Sequence, residues 1–313
     1  MINAVIDIGT NTLILLVAKP VRKSIEILHD EAVITRLGQG LSDNHFFLPE
    51  AMKRTLDVLK KFKSTCTTMK VNKIVAVGTA SLRTAANASV FINRVKKECG
   101  FKIMVLSGEA EAEHVFTAAH KDFGDDHDKL IVVDIGGGST EIITGPGTKK
   151  KTAETVISLP FGSVRLTELY VRSDPISDED FLRLSNAIKN GLKDHLDDFY
   201  PSTFLPHKAT LVATAGTATT LLALDKKMKS YKPKAIHGAH LKKDKLENLI
   251  ELLKSKSVTE RQKLPGLEPL RADVILAGAL LLNEILDTFK QTEAIISDRG
   301  LRYGIFFEKF LKT

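Results

Sequence analysis

Cysteine is nearly missing from this chain: two residues, Cys66 and Cys99, in 313. They share no C-x-x-C spacing, which argues against a zinc or disulfide framework and fits a reducing cytoplasm. Tryptophan is absent, and no basic stripe interleaved with aromatic residues occurs. Nucleic acid therefore ranks below a phosphate-rich small ligand as partner. No apolar run approaches the ~20 residues that span a bilayer. The longest, Val274 to Leu282, stops far short. The opening MINAVIDIGTNTLILLVAKP is interrupted by Asp7, Asn11 and Thr12 and carries no basic leader. Neither a membrane anchor nor a signal peptide is expected, and the cytoplasm is the expected compartment.

What is present points to a folded protein. Apolar residues make up 43% of the chain, and its length suits two domains of ordinary size. Basic residues outnumber acidic ones, 45 to 38, for a formal net charge of +7. That balance suits a polyanionic ligand, although a lysine-rich surface also serves solubility alone.

Apolar runs alternate with helical spacing. Ala4 to Ile6, Leu13 to Ala18 and Ser24 to Ile34 read as strands, followed by a helix from Pro49 to about Lys63. Lys73 to Gly78 and Lys102 to Leu106 are further strands. Ser107 is an N-cap for a helix reaching about Lys121. The polar DFGDDHDK, Asp122 to Lys129, is a domain crossing. A second set follows. Leu130 to Asp134, Thr140 to Gly145, Lys151 to Pro160, Ala209 to Gly216 and Glu293 to Ser297 read as strands. Helices are expected at Val164 to Val171, Asp178 to Phe199, Lys242 to Leu253, Ala272 to Phe289 and Gly300 to Leu311. Tyr231 to His240 reads as a loop whose His237 and His240 lack metal-ligand spacing.

One unit occurs twice. AVIDIGTNT, Ala4 to Thr12, matches IVVDIGGGST, Ile131 to Thr140: three apolar residues, Asp-Ile-Gly, then small and hydroxyl residues before a returning strand. Two copies half a chain apart imply two related α/β lobes. Glycine lets backbone N–H groups approach a ligand and form a concave anion site. Thr10, Thr12, Ser139 and Thr140 add hydroxyls. An aspartate beside such a site repels phosphate unless a hard cation such as Mg²⁺ bridges them. For one copy alone a plain hairpin turn is the better reading. Two copies favour phosphate binding in a cleft between lobes.

DIGTNT, DIGGGSTE and GTAT (Gly216 to Thr219) resemble the phosphate and glycine loops of the actin–hexokinase–acetate kinase superfamily. Within it the chain closely resembles the exopolyphosphatase/guanosine pentaphosphate phosphohydrolase (Ppx/GppA) family. TASLRTAAN (Thr79 to Asn87), LSGEAEAE (Leu106 to Glu113), LPFGSVRLTE (Leu159 to Glu168), RADVILAGALLL (Arg271 to Leu282) and SDRGLRYG (Ser297 to Gly304) carry that match. The resemblance implies an α/β fold of two ribonuclease H-like (actin-like ATPase) lobes, each a mixed sheet flanked by helices, with an interlobe cleft. The lobes would be residues 1–122 with about 301–313, and 123–300. It resembles the short form of the family, without an HD-type region.

The implied activity is removal of the terminal phosphate of polyphosphate, or of guanosine pentaphosphate to give the tetraphosphate. Glu111 takes the family's place for the base that activates water. Read from the residues alone, Glu111 sits in a first helical turn, where the helix dipole favours any carboxylate. It also shares a row with Val115 and Ala118 and so heads an apolar face. The resemblance puts Arg83 on substrate phosphates; otherwise it is an exposed helix arginine. Asp134, Glu141 and Asp7 would hold Mg²⁺, whereas Glu141 by itself reads as a solvent-facing strand residue. Gly136, Gly137, Gly138, Ser139 and Thr140 would grip phosphate in one lobe, and Gly9, Thr10, Asn11 and Thr12 in the other. Gly216 and Thr217 extend the loop set, or simply turn a strand into a helix. Arg299 and Arg302 read as structural. Ala110 and Ile14 depart from the family pattern, which has the first glutamate of a pair and often a basic residue there. Two other readings stay open: an ATP-dependent small-molecule kinase of the same superfamily, and a non-catalytic polyphosphate or alarmone-binding regulator. A homodimer is one assembly the apolar helices allow.

Overall fold

The computed structural model describes residues 1–147, 153–196 and 209–311. It divides into two compact units, Met1–Ala118 with Leu301–Thr313, and Ala119–Gly300. Each is a mixed sheet with helices packed against it.

In the first unit β1 (Asn3–Ile8), β2 (Thr12–Val21), β3 (Ser24–Ile34), β4 (Lys73–Gly78) and β5 (Ile103–Val105) form one sheet in the order β3-β2-β1-β4-β5. The first three strands are an antiparallel meander, and β4 and β5 run parallel to β1. Alternation decides the faces. Ala4, Ile6 and Ile8 of β1 join Leu13, Leu15 and Val17 of β2 under the helices Pro49–Thr68 and Ala88–Cys99, whose Leu56, Leu59, Phe62, Phe91 and Val95 complete a core. The helix Leu301–Phe310 packs on β1 and β2. The edge strand β3 carries Glu26, His29, Asp30 and Glu31 among its apolar residues, and charges on an edge discourage pairing with another chain.

The second unit repeats the plan. It contains β6 (Lys129–Ile135), β7 (Thr140–Pro146), β8 (Thr155–Leu159), β9 (Ala209–Thr214), β10 (Ala239–Lys242) and β11 (Glu293–Ile296). Their order is β10-β11-β9-β6-β7-β8, again a meander followed by parallel strands. Ile131, Val133 and Ile135 of β6 face a core built with the helices Asp178–Leu196, Ala215–Asp225, Lys243–Lys254 and Ile275–Thr288.

Some expected boundaries move. The helix begun at Pro49 runs on to Thr68. The stretch expected as strand to Gly216 ends at Thr214, because Ala215 turns into the left-handed region (φ 68°) and opens the helix Ala215–Asp225. Tyr231 to His240 is not all loop: Pro233–Ile236 is a helical turn, and Ala239 and His240 begin β10, the antiparallel edge beside β11. The expected ends of the Asp178 helix beyond residue 196, and of the β8 strand before residue 153, lie outside the described residues.

Candidate functional site

Both Asp-Ile-Gly copies end a central strand and make the same turn. The Gly9 amide donates to the Thr12 carbonyl at 3.0 Å, and the Gly136 amide donates to the Ser139 carbonyl at 3.1 Å. The aspartates themselves stand in different company. In the second unit the register sets Ser158, Glu141, Asp134 and Thr214 side by side across β8, β7, β6 and β9. In the first, Asp7 stands between Ile14 and Val77, with Ala32 beyond. Cross-strand partners share a face. Asp134 therefore lies in a polar row and Asp7 in an apolar one, and Ile14 occupies the place that Glu141 holds in the repeat.

Asp7 Oδ1 is fully enclosed and has no hydrogen-bond partner. Burial pushes this carboxyl up to about 7; the negative charge of Glu111 adds to the effect and Arg302 opposes it. Glu111 heads the helix Gly108–Phe123, whose start is fixed by Ser107 Oγ accepting from the Ala110 amide at 3.2 Å. It is 7% exposed, so the apolar row it leads does desolvate it. Burial raises its pKa, and Arg83 pulls the other way. Arg83, at the end of the short helix Ala80–Thr84, donates through Nη1 to Glu111 Oε2 at 2.7 Å and to the Leu106 carbonyl at 2.9 Å. This arginine is half-buried and ion-paired, not an exposed helix residue.

The neighbouring loop is tightly held. Thr10 and Asn11 are buried. The Thr10 carbonyl accepts from Gly38, and the Asn11 carbonyl from Thr35 and Arg36. Asn11 Nδ2 is enclosed without a partner, leaving one amide donor unspent in the loop. Thr12 follows as the first residue of β2.

In the second unit the Gly136 carbonyl accepts from the Ser163 amide, and the Gly137 carbonyl from the Val164 and Arg165 amides. These carbonyls thus cap the helix Ser163–Tyr170. In a trans peptide the N–H opposes the C=O. The Gly137 and Gly138 amides therefore point away from that helix, and two adjacent donors of this kind are the elements of an anion nest. Gly162 permits the approach: a Cβ there would lie 2.5 Å from the Gly136 carbonyl oxygen. Ser139 is buried beside them. Thr140 belongs elsewhere. It is wholly buried and its hydroxyl donates to the Phe161 carbonyl at 2.9 Å, which commits it to the scaffold, not to a ligand.

Glu141 is also buried, at 1% exposure, and accepts from Ser158 Oγ at 3.0 Å, which corrects the reading of it as solvent-facing. Gly300 passes close to Asp134 Oδ2 (a Cβ would be 3.7 Å away) and to Thr214 Oγ1, which donates to the Ser297 and Arg299 carbonyls. Gly216 lies against the Arg271 guanidinium, where a Cβ would be 2.4 Å from its nitrogens, and Thr217 is packed on Gly278. Among the described residues no three His, Cys, Asp or Glu side chains converge as a metal cage. The donors that do exist are carboxylate oxygens: the Asp134–Glu141 pair, and the unpartnered Asp7 oxygen. Within each unit, oxygen donors of this kind are the type that suits a hard cation such as Mg²⁺.

Arg299, Arg302, His237 and His240, outside the proposed chemistry, each lie beside a carboxylate. Arg299 donates to Asp122 at 2.7 Å, and Arg302 grips Asp30 with two bonds of 2.9 and 3.0 Å. His237 is only partly exposed and lies 3.6 Å from Asp122, whereas His240 is exposed beside Glu293. Sequence reasoning passed over Gly162, Ser158, Thr214, Gly300 and Arg271 as individual site residues. Each stood inside or beside a motif already quoted, yet no local period distinguishes it.

Comparison with known proteins identifies the family. The Ppx/GppA phosphatase family matches residues 16–313. The bifunctional 3-dehydroquinate synthase/phosphatase of Fusobacterium nucleatum is 33% identical, over 98% of this chain and 46% of that one. Exopolyphosphatase 2 of Mycobacterium tuberculosis is 31% identical over 96% of both. The guanosine-5'-triphosphate,3'-diphosphate pyrophosphatase of Photobacterium profundum is 28% identical over 99% of this chain and 59% of that one. The chain thus spans about half the length of two of these relatives and nearly all of the third. The Aquifex aeolicus PPX-GPPA enzyme superposes with a TM-score of 0.80, at 32% identity and 99% coverage of both chains.

Proposed function

This chain belongs to the Ppx/GppA phosphatase family, and from that premise we propose that it hydrolyses a terminal phosphoanhydride bond. The substrate would be inorganic polyphosphate or guanosine pentaphosphate, the two chemistries that its relatives' names carry. The observation that carries the reading is Glu111. It is a buried carboxylate with a raised pKa, held by Arg83 at 2.7 Å and placed at the head of a helix.

A desolvated carboxylate takes a proton more readily than a solvated one, which suits a general base. In the proposed reaction Glu111 orients a water and accepts its proton as the water oxygen bonds to the terminal phosphorus. The bond from that phosphorus to the bridging oxygen breaks. The bridging oxygen leaves on the shortened chain, and orthophosphate is released. Arg83 fixes the Glu111 carboxylate, and its planar fork suits phosphate oxygens as well. The Gly137 and Gly138 amides, with Ser139, would donate to oxygens whose charge rises during transfer. Asn11 Nδ2 would do the same work in the first unit. Asp134, Glu141 and Asp7 would hold Mg²⁺, which when bound supplies charge neutralisation to the phosphoryl oxygens.

The test is orthophosphate release in Mg²⁺ buffer from long polyphosphate, guanosine pentaphosphate and ATP, with wild type and Glu111→Ala. Release from either of the first two substrates, lost in the variant, is expected. No release from either overturns the hydrolase reading. Full activity in Glu111→Ala removes Glu111 as the base and leaves the family assignment intact.

A further inference from the structure

The excess positive charge of this chain is concentrated in one place. From Lys226 to Lys243 there are seven lysines and no aspartate or glutamate. The formal net charge of the whole chain is +7, so outside this stretch basic and acidic residues balance. A lysine surface that served solubility alone would have no reason to gather the entire excess in so short a segment.

Five of these side chains, Lys226, Lys227, Lys229, Lys232 and Lys234, are exposed on the loop after the helix Ala215–Asp225 and on the turn that follows. Among the described residues none of the five has a carboxylate within ion-pair distance, whereas Lys243 is already bonded to Glu247 and Asp287. Lys226 stands at a helix C-terminus, where a cation is favoured anyway. The other four have no such reason to be there.

The loop is tied back towards the glycine loops. The Tyr231 hydroxyl donates to Asp298, two residues before the Gly300 that lies beside Asp134. Tyr231 also lies within electrostatic reach of Arg271, whose guanidinium rests on Gly216. Lys229 and Lys232 flank this anchor in sequence.

We propose that Lys226, Lys227, Lys229, Lys232 and Lys234 form a polyanion-tracking surface for the distal phosphates of long inorganic polyphosphate. A flexible chain carrying charge on every unit needs repeated point charges and little geometry, which a run of lysines supplies. Single-stranded nucleic acid fits less well, because its binding surfaces add aromatic stacking platforms and Tyr231 is the only Phe, Tyr or Trp in the stretch. The inference rests on the hydrolase reading for its substrate.

The experiment compares wild type with a variant carrying Lys→Gln at the five positions. KM is measured for long polyphosphate and for tripolyphosphate, and equilibrium binding of long polyphosphate is read in parallel. The expected result is a rise in the ratio of the long-chain KM to the tripolyphosphate KM by about tenfold, the scale of several exposed charge contacts. Long-chain binding should weaken to match, with a salt dependence shallower than the wild type's. A matching five-arginine variant should keep the wild-type ratio. A ratio within about twofold of wild type, in a protein that turns over polyphosphate, overturns the surface and leaves the hydrolase reading standing. If wild type hydrolyses nothing, the hydrolase reading falls and binding decides: equal affinity of wild type and variant overturns the proposal. Single-stranded RNA that displaces polyphosphate equally well at matched phosphate concentration also overturns it, in favour of a nucleic-acid surface.

Discussion

Replacing Gly162 with alanine should dismantle the Gly136–Ser139 turn of the second unit. The backbone there is extended (φ −144°, ψ −173°), so alanine meets no conformational objection and the effect is purely steric. The added Cβ would fall 2.5 Å from the Gly136 oxygen and 2.8 Å from both the Gly137 carbonyl carbon and the Ser139 oxygen. All three are backbone atoms and cannot rotate away, so the loop or the helix start must move. Overpacking of this kind costs roughly 1–3 kcal/mol. Stretching the bonds from the Ser163 and Val164 amides to the loop carbonyls, both now 3.0 Å, adds about 1 kcal/mol. A total of about 2–4 kcal/mol in a unit of this size lowers the melting temperature by roughly 5–15 °C. Turnover should fall about a hundredfold, because a shift approaching 1 Å misplaces the donor amides. Gly136→Ala is the graded comparison: its Cβ would meet only the Ser139 oxygen, at 3.1 Å, and a small relaxation suffices. Thermal unfolding by circular dichroism and orthophosphate release measure both effects. A Gly162→Ala protein that melts within about 2 °C of wild type, or a reversed order of the two variants, would show that the Gly162 approach is not tight.

The other predictions concern charge. Asp7 is lifted from 3.8 to about 7, so its contribution to stability is complete below the unfolded value and is lost as pH rises through 7. The loss is roughly 4 kcal/mol for a shift of this size. Asp7→Asn should therefore raise the melting temperature in EDTA, by more at pH 8 than at pH 5, and a gap that narrows towards pH 8 contradicts the assignment. Arg83 holds the Glu111 pKa down against burial, so Arg83→Met should move the acid limb of the kcat/KM profile to higher pH; movement to lower pH would show that the pair is not coupled as described. EDTA should abolish phosphate release and Mg²⁺ restore it, and Asp134→Asn should raise the Mg²⁺ concentration for half-activity by at least about tenfold. Release that persists in EDTA removes the cation from the scheme.

Much of this site can be read from the chain because its signals are local. The two Asp-Ile-Gly turns repeat within a few residues, and Glu111, Val115 and Ala118 reveal their shared face through helical spacing alone. Glu141 misleads for the opposite reason. A carboxylate early in a returning strand reads as solvent-facing, but β7 lies between β6 and β8 and is buried almost throughout, so the charge is enclosed and bonded to Ser158. The need for glycine at 162 comes from a loop some 25 positions earlier, and Gly216 answers to Arg271 across a still longer separation. No period in the sequence encodes either contact.

The repeat itself conceals a difference that only strand register exposes. It suggests two equal halves, yet Asp134 stands in a row with Glu141, Ser158 and Thr214, while Asp7 stands among Ile14, Val77 and Ala32. Asp134 has polar cross-strand neighbours, the setting that a cation's oxygen ligands need. A carboxylate among apolar neighbours, with Glu111 adding like charge, keeps its proton until about pH 7. A cation bound at Asp7 would have to displace that proton. Mg²⁺ affinity should therefore strengthen with pH around neutrality in wild type and lose that dependence in Asp7→Asn. A pH dependence that survives the Asp7 substitution would mean that the proton belongs to Glu111, and that the two carboxylates have been given each other's roles.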